Sequence, residues 1–269
     1  MEIKPTRPYR VSNILIVLAL WLAPVPSSAA ELPAEFTAHY VLEIFGTVMA
    51  RAKYTLEHNE NGLSMTQSTR PAGIVALLRD DKIDVRSDMI IRNGQILLTH
   101  YDYRHTGDDK DRDVSFKIDW KSDPKDALTG KVTGSYAGAT VDIDIDKPVW
   151  DPLSIQVPIM VDAKQNLPPH EHGLFMKGEV KDYLFQNLGT ERISANGQDF
   201  QAIKIVGKET RRDRAMYVWL VRELNNLPVK IEQWKEGKLK STVVLEKVSF
   251  SNSEETLTVD FTDTSDDYE

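Results

Sequence analysis

Apolar and polar residues alternate with a period of two along most of this chain. That pattern commits it to β-structure, because only an extended strand sends successive side chains to opposite faces. Phe36, Ala38, Tyr40, Leu42 and Ile44 alternate with Thr37, His39, Val41 and Glu43. After Gly46, the series Val48, Ala50, Ala52, Tyr54, Leu56 alternates with Met49, Arg51, Lys53, Thr55, Glu57. A turn at Asn59–Gly62 then leads into Leu63–Thr69, so the first three strands read as an antiparallel meander. The alternation resumes at Ile83–Ile91, Gln95–Arg104, Asp113–Trp120, Lys131–Tyr136 and Thr140–Ile145. It returns at Leu174–Glu179, Lys181–Asn187, Glu191–Ile193, Phe200–Gly207, Ala215–Val221, Val229–Trp234 and Lys238–Phe250. Asn93-Gly94, Ala137-Gly138, Asn196-Gly197 and Glu236-Gly237 mark turns between them.

Two stretches break the period. Residues 71–79, with Gly73-Ile74-Val75-Ala76-Leu77-Leu78, read as a short apolar helix or a buried crossover. Residues 151–163 read as a helix, with Asp151 as N-cap, Pro152 in the first turn, and apolar residues on more than one face. Pro158 falls inside it and is expected to kink or shorten it. About a dozen antiparallel strands cannot lie flat without leaving long exposed edges. The fold class expected is all-β with minor α: a strongly curved antiparallel sheet or incomplete β-barrel around the central helix. A two-sheet sandwich is the alternative.

The first thirty residues have the three parts of a secretory signal. Lys4, Arg7 and Arg10 form a basic region, Val11–Ala23 an apolar core, and Ser28 and Ala30 the small residues before a cleavage site. Cleavage is expected after Ala30, the core being short for a membrane-spanning helix of roughly 20 residues. Removal of residues 1–30 leaves 30 Lys+Arg against 40 Asp+Glu, a balance that argues against nucleic acid as partner. The chain has no cysteine. Its fold therefore depends on a hydrophobic core, thiolate chemistry is excluded, and Glu31 at the expected mature terminus cannot carry a lipid anchor. The expected organisation is a signal peptide at 1–30, one domain over 31–250, and an acidic tail over 251–269, working outside the cytoplasmic membrane.

Val149-Trp150-Asp151-Pro152-Leu153-Ser154 before a helix resembles the central signature of the periplasmic family known as domain of unknown function 3108. Val218-Trp219-Leu220, Leu227-Pro228-Val229-Lys230-Ile231, Gly237 and Leu245 are similar too, as are Phe36, Tyr40, Gly46 and the Arg86-Ser87-Asp88 strand. The resemblance covers nearly all of residues 36–250. It implies an envelope protein and, through fold-level similarity to the open β-barrels of lipoprotein carriers, a cavity for a lipid or other hydrophobic ligand. It carries over no catalytic residues.

Several side-chain groups are candidates for chemistry. His170 and His172 flank Glu171 and, on a strand, would face the same way and share a metal. No third ligand is evident nearby, and an exposed polar loop after Pro168-Pro169 is the expectation, so no metal is assigned. Asp108, Asp109, Asp111 and Asp113 lack the glycine and glutamate of a calcium loop, and Asp142, Asp144 and Asp146 read as one solvent face. Ser154 has no nucleophile elbow around it. Trp150, Met160, Met176, Met216, Trp219 and Trp234 are the residues expected to line a soft apolar cavity. Lys208, Arg211, Arg212 and Arg214 form a basic cluster suited to an anionic headgroup or an acidic partner. The reading is a non-enzymatic, cofactor-free periplasmic protein that binds a lipid or hydrophobic small molecule. The alternative is an envelope-integrity scaffold with an envelope protein as partner; an envelope hydrolase has least support.

Overall fold

A computed structural model describes residues 32–107, 112–121, 128–165, 168–195, 198–251 and 256–258, with the side chain of residue 195 left aside. Residues 1–30, read as a signal peptide, the Asp108–Asp111 run, Asn196-Gly197, read as a turn, and most of the acidic tail lie outside them. Sixteen strands belong to one sheet. The first eight are β1 (Phe36–Ile44), β2 (Thr47–Asn59), β3 (Gly62–Pro71), β4 (Lys82–Arg92), β5 (Gln95–Thr106), β6 (Val114–Lys121), β7 (Thr129–Tyr136) and β8 (Ala139–Ile145). They form a continuous antiparallel meander. A second group follows: β9 (Val149–Trp150), helix α1 (Gln156–Gln165), β10 (His170–Met176), β11 (Glu179–Ala195), β12 (Gln198–Glu209), β13 (Arg214–Val221), β14 (Leu227–Lys235), β15 (Lys238–Phe250) and β16 (Thr256–Thr258). β15 pairs with β1, so the order runs β8 to β1, then β15 down to β9, with β16 beside β15.

The two ends of this order, β8 and β9, are consecutive in sequence and joined only by residues 146–148. A stretch that short spans at most ~14 Å even counted with its flanking residue. The first and last strands are therefore held close at one end, and the sheet has to curl into a nearly closed barrel. A single sheet of this kind rules out the sandwich alternative. β9 and β10 are the one parallel pair, and parallel neighbours need a crossover. Here the crossover is the Asp151–Ile155 turn followed by α1, and it is driven inward: Leu153, Ile155, Val157, Ile159 and Met160 are all buried in the core.

Five hairpins turn on two residues with positive φ, the second always glycine: Phe45-Gly46, Asn93-Gly94, Ala137-Gly138, Lys177-Gly178 and Glu236-Gly237. This is the turn geometry that matches the twist of paired strands. β6 shows the expected strict alternation, with Val114, Phe116, Ile118 and Trp120 buried and their neighbours exposed. Tyr40, buried on β1, donates its hydroxyl to the carbonyl of Pro228 at 2.8 Å, and burial pushes that phenol well above its ordinary pKa.

Four expectations are corrected. Residues 73–77 form a 3-10 helix, but it is not buried: Ile74, Leu77 and Leu78 are exposed. The helix at 151–163 begins at Gln156, so Pro158 sits in its first turn, where no helical partner is lost. The strand placed at 174–179 instead occupies 170–176, because Lys177-Gly178 is the turn. β11 is one long strand rather than two, with its register shifted between Asn187 and Thr190 around Gly189.

Candidate functional site

The chain enters the barrel at Trp150-Asp151-Pro152-Leu153-Ser154. The Asp151 carboxylate accepts the backbone N–H groups of Leu153 at 2.7 Å and Ser154 at 3.0 Å. The Ser154 hydroxyl donates to the same carboxylate at 2.6 Å and accepts the Asp151 N–H at 3.1 Å. This reciprocal arrangement satisfies donors that the turn would otherwise bury unpaired. Both side chains are fully buried, and burial pushes the Asp151 carboxyl above its ordinary pKa against the pull of these bonds. Ser87 on β4 lies close enough to lower it, although its hydroxyl has no partner at full hydrogen-bonding geometry. Ser154 is thus a buried capping residue held by an aspartate, with no histidine among its hydrogen-bond partners.

An open cleft of about 590 Å³ lies beside this turn. It is lined by Pro152, Ile155, Leu174, Met176, Tyr183 and Met216, with Arg214, Ala215, Gln233 and Trp234 at its margin. Three of the six residues expected to line a cavity therefore meet here: Met176, Met216 and Trp234. Arg214 from the basic cluster joins them. The other three are elsewhere. Met160 is buried on α1. Trp150 is buried and directs its indole N–H to His172 Nδ1 at 3.2 Å.

Trp219 sits on the face of β13 opposite Val218 and Leu220, paired with Lys204 and Lys230 across the sheet. Their ammonium groups lie 4.7 and 4.9 Å from its ring, and its N–H donates to Glu191. Trp219 is therefore covered by cation–π contacts and does not reach the cleft.

Among the described residues, the crossover packs into the core: Phe116 and Phe175 lie with ring centroids 4.4 Å apart, within the same core cluster as Leu153 and the apolar residues of α1.

The basic cluster lies on the β12–β13 turn, with Lys208 exposed on β12 and Arg211 and Arg212 exposed at the turn itself. Glu209 is buried beside it, 3.8 Å from each of Arg212 and Arg214, so one carboxylate faces two guanidiniums. Tyr183 donates to Glu209 at 3.4 Å, and burial, reinforced by that carboxylate, pushes its phenol up to about 12. A second pocket of about 380 Å³, lined by Glu179, Lys181, Asp182, Glu209, Arg211 and Arg212, adjoins this turn.

The meander places the β1–β2, β3–β4, β10–β11 and β12–β13 connections at one end of the barrel. Exposed Phe45, Ile74, Leu77 and Leu78 therefore share the rim that carries the cleft and the arginines. Sequence reasoning did not place Ile74, Leu77 and Leu78 at the surface, because an apolar run reads as buried until the fold shows otherwise. It also placed His170 and His172 in an exposed loop; both are on β10, and His172 is buried. The aspartates of β8 behave as a polar face, with Asp142 and Asp144 exposed and Lys131 paired to Asp142 at 2.7 Å.

A nearly closed single-sheet barrel with an inward-folded crossover defines a β-barrel-like class. It is similar to a solved structure, the beta-barrel-like protein of domain of unknown function DUF1849 from Brucella abortus, with a TM-score of 0.53 at 10% identity. That similarity covers 82% of this chain and 99% of the other, and it bears on the fold alone. The chain belongs to the family described as protein of unknown function (DUF3108), whose pattern matches residues 35–243. Among curated proteins, none matches it. Among the described residues, no helix is long and apolar enough to cross a membrane.

Proposed function

We propose that this is an exported envelope protein that binds an amphiphile at the barrel rim, without catalysis of its own. The apolar chain of the ligand lies in the cleft formed by Leu174, Met176, Tyr183, Met216 and Trp234, and an anionic headgroup meets Arg212 and Arg214. The observation that carries this reading is the juxtaposition of an apolar cleft with a basic turn, sharing Arg214 as their boundary. Burying an acyl chain contributes about 0.8 kcal/mol per CH₂. Export through the 1–30 segment supplies the setting in which lipid is the abundant ligand, and the exposed apolar residues of the rim suit a protein that meets lipid.

Titration of the purified protein with a fluorescent fatty acid, beside native mass spectrometry of the protein as purified, tests the proposal. Saturable binding is expected. Met216→Asp should abolish it, and Arg212→Glu with Arg214→Glu should weaken the fatty acid much more than a neutral alcohol of equal chain length. No co-purified lipid together with no binding would refute it. The core packing of the crossover favours a second reading in that event, an envelope-integrity scaffold, whose test is capture of a protein partner from envelope fractions.

A further inference from the structure

The crossover also brings together three groups that do not line the amphiphile cleft, although His172 pairs across the sheet with Tyr183 of its lining. Asp162 projects from α1, and His170 and His172 from β10. His170 Nε2 is 2.8 Å from Asp162 Oδ2 and 2.8 Å from His172 Nε2, and the third edge, His172 Nε2 to Asp162 Oδ2, is 3.4 Å. We propose that these three residues bind a divalent transition-metal ion of the zinc type.

Proton bookkeeping carries the argument. The Pro168 carbonyl can only accept and lies 3.0 Å from His170 Nδ1, so the proton of the neutral ring sits there. His170 Nε2 then turns a lone pair toward the Asp162 carboxylate. The Trp150 N–H points at His172 Nδ1, which places the His172 proton on Nε2. That proton serves one edge of the triangle and leaves the His170–Asp162 edge with a lone pair against a carboxylate oxygen. A single cation satisfies all three edges at once.

The distances also admit one. A triangle with these sides has its centre about 1.8 Å from each corner, so an ion ~1 Å out of plane reaches all three at zinc–nitrogen bond length. Two imidazoles and a carboxylate are a ligand set that zinc accepts, and three protein ligands leave a fourth position for water. The His170 Nδ1 bond to a backbone carbonyl is the usual outer support of a ligating histidine.

One contact opposes loading. Ligation through His172 Nε2 moves its proton to Nδ1, where the Trp150 N–H now points, so binding has to break the Trp150–His172 bond. The ion would then clamp α1 to β10 beside a shallow apolar depression lined by Ile159, Ala163, Phe185 and Ile205.

The test is calorimetric titration of the chelator-treated protein with zinc chloride, paired with cobalt(II) absorption spectra. One ion per chain is expected, with a visible tetrahedral cobalt band and a change in tryptophan fluorescence. Asp162→Asn and His170→Gln should each weaken binding at least tenfold with unchanged circular dichroism. Trp150→Phe, which removes the competing N–H, should tighten it. Absence of heat and of a cobalt band overturns the proposal. So does binding undiminished in both Asp162→Asn and His170→Gln, since the ion would then reside on other histidines or surface carboxylates.

Discussion

The Asp151 carboxylate is the residue on which entry of the crossover into the barrel depends, and its replacement gives a graded prediction. Alanine would strip the acceptor from the N–H groups of Leu153 and Ser154 and from the Ser154 hydroxyl, all in a fully buried turn. Each buried polar group left unpaired costs about 1–3 kcal/mol. With partial relaxation, Asp151→Ala should lose about 3–5 kcal/mol, a large share of the ~5–15 kcal/mol that holds a typical domain. Asparagine keeps one acceptor oxygen in place and carries no charge to desolvate, so Asp151→Asn should lose only about 1–2 kcal/mol. Equilibrium urea unfolding, read as the shift in midpoint at constant slope, measures both.

The pH dependence adds an independent check. Burial raises the folded pKa of Asp151 above its unfolded value of 3.8. Its stabilisation is therefore complete below that unfolded value and is lost as pH rises through the folded pKa. The advantage of wild type over Asp151→Asn should accordingly narrow as pH rises above about 4. Asparagine proving as harmful as alanine, or an advantage that widens with pH, would refute the reasoning.

Two further predictions concern packing and acid stability. A Cβ on Gly134 would sit 2.1 Å from the Ser115 carbonyl oxygen and 2.6 Å from Phe116 Cα, whereas on Gly207 it would meet the Phe185 ring at 2.5 Å. Backbone yields less than a ring, so Gly134→Ala should cost more than about 3 kcal/mol and Gly207→Ala about 1–3 kcal/mol, measured by thermal unfolding. Asp81, hydrogen-bonded first to His105 and then to Arg79, has its pKa held below the ordinary value. Its stabilisation is present above the unfolded pKa and lost as pH falls through the lower folded one, so Asp81→Asn should flatten the acid limb of a stability–pH curve below pH 4.

The strands of β1 to β8 and β12 to β15 were legible because their alternation is local: each residue's face follows from its neighbours two places away. The same holds for the turn signals at Asn93-Gly94, Ala137-Gly138 and Glu236-Gly237. It holds too for Asp151 as a cap, since the partners of that carboxylate are two and three residues on. Lys177-Gly178 was missed, because nothing in the sequence around it separates a turn from a continuing strand.

The candidate sites depended on distance along the chain. Met176, Met216 and Trp234 share a cleft because β10, β13 and β14 meet at the same rim, while Trp219 lies further from that rim along β13 and is covered by Lys204 and Lys230. Ile74, Leu77 and Leu78, in a stretch read as a short apolar helix or a buried crossover, lie exposed, since burial belongs to the packed sheet and not to the side chain alone. The sequence by itself determined that this chain is β-structured, curved and held by an apolar core without disulfides, because period and composition are properties of the chain. Only the tertiary structure decided what stands beside what. His170 and His172 lacked a third ligand until the parallel β9–β10 pairing forced a crossover helix between them, and that helix is what sets Asp162 against both rings.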